Sequence, residues 1–450
     1  MKGAVLYAGF LKTFYSEDNR LTNMSKTAPK FPKISREYAT VAALLFMAFL
    51  IRLAFFWNQG YAGVDTQDFM SWFQTAATHG PRVFYQVTWS DYPPFNVYFF
   101  WFFGLLAQRL SLFGSVLFTY IMKLPANLFD MATALLIFTF VRKRLSFKTS
   151  LIATGLYAFN PAVVFDAAVW GQFDAIYAFF LVLSLMLVLR SKPKLAVVAF
   201  MLGVLTKPQS IALAPLFFFL IWRKTDWKGF LASILVALGT VFAVILPFQW
   251  TNNNPVTFLS KIYIGAYSTY NYNSLNAFNF WGLGGMWVKE TQVTFIVGWV
   301  TFAAIAAFTL YLANRRLDTD KEIIVVFAAF VLFFGFFMLP TRIHERYLFP
   351  AFSMLALLFP FIKSTRPLYV VLTATCFINQ AYVLYWLNAS YPYAANLTGD
   401  PVVLVVSLIN LVAFVYMLML MIGELQGRKW LLKGSGASRS SADDLKKEAD

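Results

Sequence analysis

Apolar runs recur from one end of the chain to the other, separated by short polar breaks. They fall near residues 39–57, 95–113, 117–141, 150–168, 172–190, 195–206, 208–222, 229–249, 293–313, 322–340, 346–362, 367–387 and 400–422. A helix needs about 20 apolar residues to cross a bilayer core, so most of these runs predict spanning helices. Between the first two runs lies a polar, acid-bearing stretch, Gly63-Val64-Asp65-Thr66-Gln67-Asp68-Phe69-Met70-Ser71-Trp72, closed off by Trp89-Ser90-Asp91-Tyr92-Pro93-Pro94-Phe95. Further on, Lys207-Pro208-Gln209 splits an apolar run of nearly one and a half spans, which predicts a tight re-entrant turn.

Composition sharpens this picture. The chain is 59% hydrophobic and only 13% charged, where a soluble protein carries about 25% charged residues. A soluble protein with one very large core does not account for so many runs of near-spanning length. The fold class expected is therefore all-α, a polytopic membrane helical bundle. The single Cys376 lies inside an apolar run, which excludes a disulfide framework and a cysteine metal site. Residues 1–38 are polar and basic with no run resembling a signal peptide. The first spanning helix is then expected to be its own targeting signal. Residues 1–38 read as a partly disordered cytoplasmic segment, 39–422 as the membrane domain, and 423–450 as a basic, disordered cytoplasmic tail.

A net charge of +16 would suggest nucleic acid as partner in a soluble chain. Here its placement matters more. Basic loops stay cytoplasmic. If the 95–113 run does not span, 28 of the 37 Lys and Arg fall on one side, including Arg142-Lys143-Arg144, Arg315 to Lys321 and the tail. Only 7 fall in the opposite loops. The 95–113 run, rich in Phe and carrying Trp101, Gly104, Gln108 and Arg109, then reads as an interfacial helix. About 12 spans result, with both termini cytoplasmic. The same topology puts the motif-like polar residues together on the extracytoplasmic face, a result that charge counting did not use.

Several of those residues have chemistry to offer. Asp65 starts an amphipathic stretch and shares a helical face with Phe69 and Trp72, with Asp68 beside it. It reads equally as an N-cap or as a general base at the membrane surface. Asp91 and Tyr92 precede two prolines that hold the chain in an extended turn. Trp170-Gly171-Gln172-Phe173-Asp174 marks the mouth of a helix, where an unpartnered Asp174 would be costly. Lys207 can snorkel or meet a phosphate as a point charge. Arg342-Ile343-His344-Glu345-Arg346 is the densest outer charge cluster. It reads as a self-neutralising salt bridge or as a clamp for a phosphate leaving group. The 250–292 loop, with Asn276, Asn279 and Trp281 in Tyr270-Asn271-Tyr272-Asn273-Ser274-Leu275-Asn276-Ala277-Phe278-Asn279-Phe280-Trp281, pairs amides with flat rings, the usual means of holding a sugar. No GxGxxG, P-loop, HExxH, zinc or GxSxG pattern occurs. Asn388-Ala389-Ser390 and Asn396-Leu397-Thr398 match the N-glycosylation pattern.

With these residues placed, the chain resembles the GT-C superfamily of polyprenyl-phosphate-sugar glycosyltransferases. It is similar to the dolichyl-phosphate-glucose glucosyltransferases of N-glycan assembly and to the bacterial and archaeal mannosyltransferases related to the second mannosyltransferase of GPI-anchor synthesis. The likeness rests on Asp65 followed by Trp72, on Asp91-Tyr92-Pro93-Pro94, on Trp170-Gly171-Gln172-Phe173-Asp174, and on Asn279-Phe280-Trp281 and His344-Glu345 in late outer loops. The resemblance implies a large first outer loop bearing two juxtamembrane helices and inverting transfer from a lipid-phosphate sugar. It implies Asp65 as base and His344, Arg346 and Lys207 as holders of the donor phosphate. Asp68, Asp91, Tyr92, Trp170, Gln172, Asp174, Asn276, Asn279, Trp281 and Glu345 would contact sugar or acceptor. Neither a metal nor a cofactor beyond the lipid-linked donor is expected. The function expected is a membrane hexosyltransferase, mannosyltransferase-like, acting on a glycan or glycolipid acceptor and not on nucleic acid. The rival is a transporter or lipid flippase, which needs ionisable residues lining a path through mid-membrane. Asp130 and Lys123 in one run and Asp166 in another are the few candidates for it.

Overall fold

The computed structural model describes residues 36–390 and 398–425. The segments read above as disordered, and Asn396, lie outside the described residues apart from their edges. The chain divides into a short unit, residues 1–43, and a large one, residues 44–450, which contains everything discussed below. Helix α1 (Arg36–Leu53) straddles the division.

Among the described residues there are helices and no strand, only two isolated bridges, Tyr272 with Lys289 and Ser274 with Ile343. The stretch after α1 holds α2 (Asp65–Val87) and α3 (Pro94–Arg109). Then come α4 (Leu117–Arg142), α5 (Phe147–Ala158), α6 (Pro161–Trp170), α7 (Asp174–Leu189), α8 (Pro193–Val204), α9 (Ala214–Lys224), α10 (Trp227–Ile245) and α11 (Pro255–Thr269). The chain finishes with α12 (Gln292–Arg316), α13 (Glu322–Met338), α14 (Phe349–Leu358), α15 (Arg366–Ser390) and α16 (Pro401–Leu425).

Five of these, α4, α10, α12, α15 and α16, are long and apolar enough to cross a membrane, and α5 with α6 makes a sixth if that pair, bent by 44°, is one span. The protein is thus an all-helical chain with several membrane-spanning helices, and the expectation of about twelve is met in part. The shortfall has physical causes. Pro161 cannot continue the ladder of α5. Asn160 turns extended before it, and its side chain caps the next helix by accepting from the N–H groups of Ala162 and Val163. Lys207, extended before Pro208, likewise ends α8, and a 3₁₀ turn over Pro208–Leu213 leads into α9. Helices α7, α8, α13 and α14 are apolar but shorter than a span. α14 is buried along its whole length and α13 nearly so, so they face protein rather than lipid. By contrast α10 and α12 are only 17% and 22% buried in their apolar windows.

α12 and α13 run back against each other, with the rings of Phe302 and Phe336 5.6 Å apart. The Arg144–Glu322 ion pair joins the start of α13 to the basic loop after α4. At the other end, α2 and α3 pack through Phe69, Trp72, Phe73 and Phe100 onto Phe173, which stacks on Phe69 at 5.3 Å. At 16 residues, α3 is shorter than a span. Its start is tied to the turn after α8: the Phe95 N–H donates to Leu205 O (3.1 Å) and Asn96 Nδ2 to Thr206 O (2.6 Å). That tie brings the Asp91 loop next to Lys207.

Candidate active site

A cavity of about 450 Å³ opens where these loops converge. Asp65, Asp68, Asp91, Tyr92, Trp170, Gln172, Lys207, Asn276, His344 and Arg346 all line it. Residues from six separate stretches of sequence thus reach one space.

One wall is acidic. α2 begins at Asp65, but its N-cap is Val64 and no side chain caps it. The carboxylate instead reaches across the loop. Its Oδ2 accepts from Trp170 Nε1 at 2.8 Å and from Gln172 Nε2 at 2.7 Å. Tyr92 Oη donates to Gln172 Oε1 at 3.1 Å, which fixes the amide with its NH₂ toward Asp65. The capping alternative therefore falls away. Among the described residues, Oδ1 of Asp65 has no hydrogen-bond partner and remains available to a ligand. Burial, and then the Asp65 charge, raise the Asp68 carboxyl above its ordinary range. Burial and Asp65 likewise push Asp91 up to about 6, against the pull of Lys207 and Arg346.

Beside it the lining is cationic, with Arg346 Cζ 5.9 Å from the Trp170 ring centre and Lys207 Nζ 5.3 Å from that of Tyr92, and the counter-charges are set behind. Lys207 Nζ donates to Asp174 Oδ2 at 2.7 Å, and Arg346 Nε lies 3.7 Å from the same oxygen. Arg346 also pairs with Glu345. Asp174 and Glu345 are fully buried and do not line the cavity, whereas Lys207 and Arg346 do. Burial would lower the Arg346 guanidinium, but Glu345, Asp174 and Asp65 outweigh it and hold it charged. His344 differs. Burial, then Arg346 and Lys207, depress it well below its ordinary value, so it is neutral at physiological pH. It sits between the rings of Tyr270 (5.5 Å) and Tyr347 (5.2 Å) as a hydrogen-bonding group rather than a cation. Arg346 is paired, as the salt-bridge reading expects, and it also lines the cavity.

Four of the residues expected to touch sugar stand back from the lining. Asp174 and Glu345 hold the cations. Asn279 donates to Phe337 O at 2.9 Å and accepts from the Trp281 N–H, and Trp281 Nε1 donates to Leu339 O at 2.6 Å. Those two pin the 270–290 loop to the end of α13, since both side chains are spent on backbone partners. Asn276 does reach the cavity, where it accepts from Trp287 Nε1 at 3.0 Å.

Other lining residues went unmarked in the sequence: Tyr263 and Tyr267, four apart on α11, turn one face to the cavity, and Trp287 joins them, alongside Trp89, Gln209 and Tyr270 from the stretches quoted above. The i, i+4 tyrosine spacing was the available signal. Arg342 takes a left-handed backbone, φ +65°. Its side chain pairs with Glu290 and donates to Tyr267 O at 2.8 Å, fastening α11 to the 342–346 loop. Among the described residues, no group of three His, Cys, Asp or Glu is placed to share a metal ion.

A family model described as glycosyltransferase family 87 matches residues 89–340, more than half of the chain. No curated protein matches it. The match takes in Asp91, Tyr92, Trp170, Gln172, Asp174 and Lys207 and stops short of Asp65 on one side and of His344 and Arg346 on the other. The chain belongs to glycosyltransferase family 87, and its helices make it a membrane glycosyltransferase.

Proposed function

We propose that this family 87 enzyme is a GT-C-type hexosyltransferase. It takes mannose or glucose from a polyprenyl monophosphate and delivers it, with inversion, to a lipid-linked or envelope glycan. Residues 39–422 form the catalytic domain, with about twelve spans, cytoplasmic termini and the cavity on the extracytoplasmic side. The observation that carries this reading is that Asp65 and the cations Arg346 and Lys207 line one cavity.

The steps follow from that arrangement. Oδ1 of Asp65 takes the proton of an acceptor hydroxyl while Oδ2 stays held by Trp170 and Gln172. The acceptor oxygen then forms its bond to C1 of the hexose. The bond from C1 to the phosphate oxygen breaks on the opposite face, and the phosphate keeps the electron pair. Arg346 and Lys207 meet the developing charge, and the neutral His344 adds a hydrogen bond. One carboxylate and one displacement give inversion at C1. Asp68, Asp91 and Asn276 bind sugar hydroxyls, and the rings of Tyr92 and Trp170 supply flat faces. The buried Asp174 and Glu345 orient the cations instead of contacting substrate. The donor lipid is the only cofactor-like molecule required.

The test gives membranes containing the enzyme a radiolabelled polyprenyl-phosphate mannose or glucose, and in parallel the matching nucleotide sugars with polyprenyl-phosphate-sugar synthesis blocked. Label should reach glycolipid from the lipid donor only. Transfer straight from a nucleotide sugar would overturn the reading. So would movement of labelled lipid across the bilayer without transfer, which would favour the transporter or flippase.

A further inference from the structure

We propose that Lys123 is a positioning residue that holds Asp65 in register with its two donors, Trp170 and Gln172. The proposal rests on the reading of Asp65 as the base.

Lys123 lies inside α4, is 4% exposed, and takes no part in lining the cavity. An ionisable side chain in a spanning helix calls for a role by default. Its Nζ donates to Asn58 O at 2.6 Å, Ala168 O at 2.7 Å and Val169 O at 2.9 Å. An ammonium has three N–H donors and no acceptor, so every donor is used. The carbonyls come from the two segments that meet at Asp65. Asn58 opens the stretch that runs through Gly60 to Asp65. Ala168 and Val169 end the wide π-type turn Phe165–Trp170, directly before the side chains that bond Asp65.

That turn leaves the carbonyls in need of partners. The N–H groups of Gly171 and Gln172 both go to Asp166 O, at 3.0 Å each. Carbonyls at a helix C-terminus have no intrahelical donor, and a cation is favoured there. Asn127, one turn beyond Lys123, donates to Ala167 O at 2.9 Å in the same manner. The fit is close. Gly171 has φ +89°, and a Cβ there would stand 3.0 Å from Lys123 Cε. Gly60 has φ +59°, and a Cβ there would stand 2.2 Å from Trp170 O. Both positions need glycine because backbone and lysine stem touch without room for a side chain. With Lys123 gone, the Asn58 and 168–169 carbonyls lose the cation they share, and the Trp170 and Gln172 donors lose their alignment on Oδ2.

The test compares full-length Lys123→Gln and Lys123→Met with wild type in lipid nanodiscs, using whichever polyprenyl-phosphate hexose supports turnover. For Lys123→Met, kcat should fall by about 10²-fold, the effect of a misplacement near 1 Å, while KM for the donor moves by less than about twofold. Lys123→Gln, which keeps two donors, should fall in between. Added to Trp170→Phe, Lys123→Met should cause little further loss, because both act on one contact. Amide exchange should rise in peptides covering 58–66 and 166–174 and stay unchanged elsewhere. Exchange reads the brace whatever atom Asp65 deprotonates, so normal turnover by Asp65→Asn would remove the base without deciding this point. If Lys123→Met does not accumulate, Lys123→Gln carries both readouts. Unaltered exchange at the two segments, or losses that multiply with Trp170→Phe, would overturn the proposal.

Discussion

Arg52, Asp130 and Tyr157 meet inside the bundle, while Asp174, Lys207, Glu345 and Arg346 meet at its end, and the two buried ion clusters are built on opposite plans. In the first, Arg52 and Asp130 are both fully buried with Nη2 and Oδ2 3.6 Å apart. Tyr157 donates to the same carboxylate at 2.8 Å, and Arg52 donates to Ala158 O. None of these residues lines the cavity. In the second, the carboxylates are sealed and the cations stand between them and the cavity. A buried ion pair is weak evidence for stability in itself. What separates scaffold from site here is direction: the first cluster closes on itself and the second presents its positive side to a space large enough for a sugar phosphate.

Breaking the closed cluster should have the largest effect. Arg52→Leu strands Asp130 in an apolar interior and should lower stability by about 3–5 kcal/mol, read as thermal unfolding in detergent. Arg52→Leu with Asp130→Leu should recover most of that loss, with donor KM unchanged. Breaking the open cluster should act on chemistry instead. Arg346→Gln should lower kcat/KM for the lipid-phosphate donor by about 10²–10³-fold, and Arg346→Lys should recover only part, since a point charge cannot reproduce the planar fork.

Asp91 sharpens the contrast through pH. Its carboxyl stands at about 6 in the folded protein against an ordinary 3.8. The folded state therefore holds this proton where the unfolded chain has lost it, and its stabilising contribution disappears as pH rises through about 6. Asp91→Asn should raise the unfolding temperature relative to wild type at pH 7–8, and the difference should vanish below the ordinary carboxylate range. Smallest is Trp281→Phe, which gives up the bond to Leu339 O. It should lose about 1 kcal/mol of stability and leave kcat as it was.

Much of this was legible in the residues. The clustering of Lys and Arg predicted one shared face for Asp65, Trp170, Gln172, Lys207 and Arg346, and these residues do line one cavity. The short α3 and the break at Lys207-Pro208 were readable because proline and charge punctuate a chain locally. The direction of a side chain was not. Capping and reaching across are equally open to an Asp at a helix start, and only the position of Trp170 decides between them. Asn279 and Trp281 looked like sugar ligands because amides and indoles bind backbone carbonyls with the same groups. The expected count of about twelve and the five or six helices long and apolar enough to span differ because an apolar run buried by protein, as in α13 and α14, has the composition of one buried by lipid. Neutral His344 was hidden because its charge depends on burial, and then on Arg346 and Lys207 in space.

Single-turnover transfer by Asp65→Asn goes most directly to the account. With polyprenyl-phosphate hexose and acceptor saturating, the rate should drop by about 10²–10⁴-fold while donor affinity, set by Arg346, Lys207 and His344, stays at the wild-type value. A rate close to wild type would contradict it.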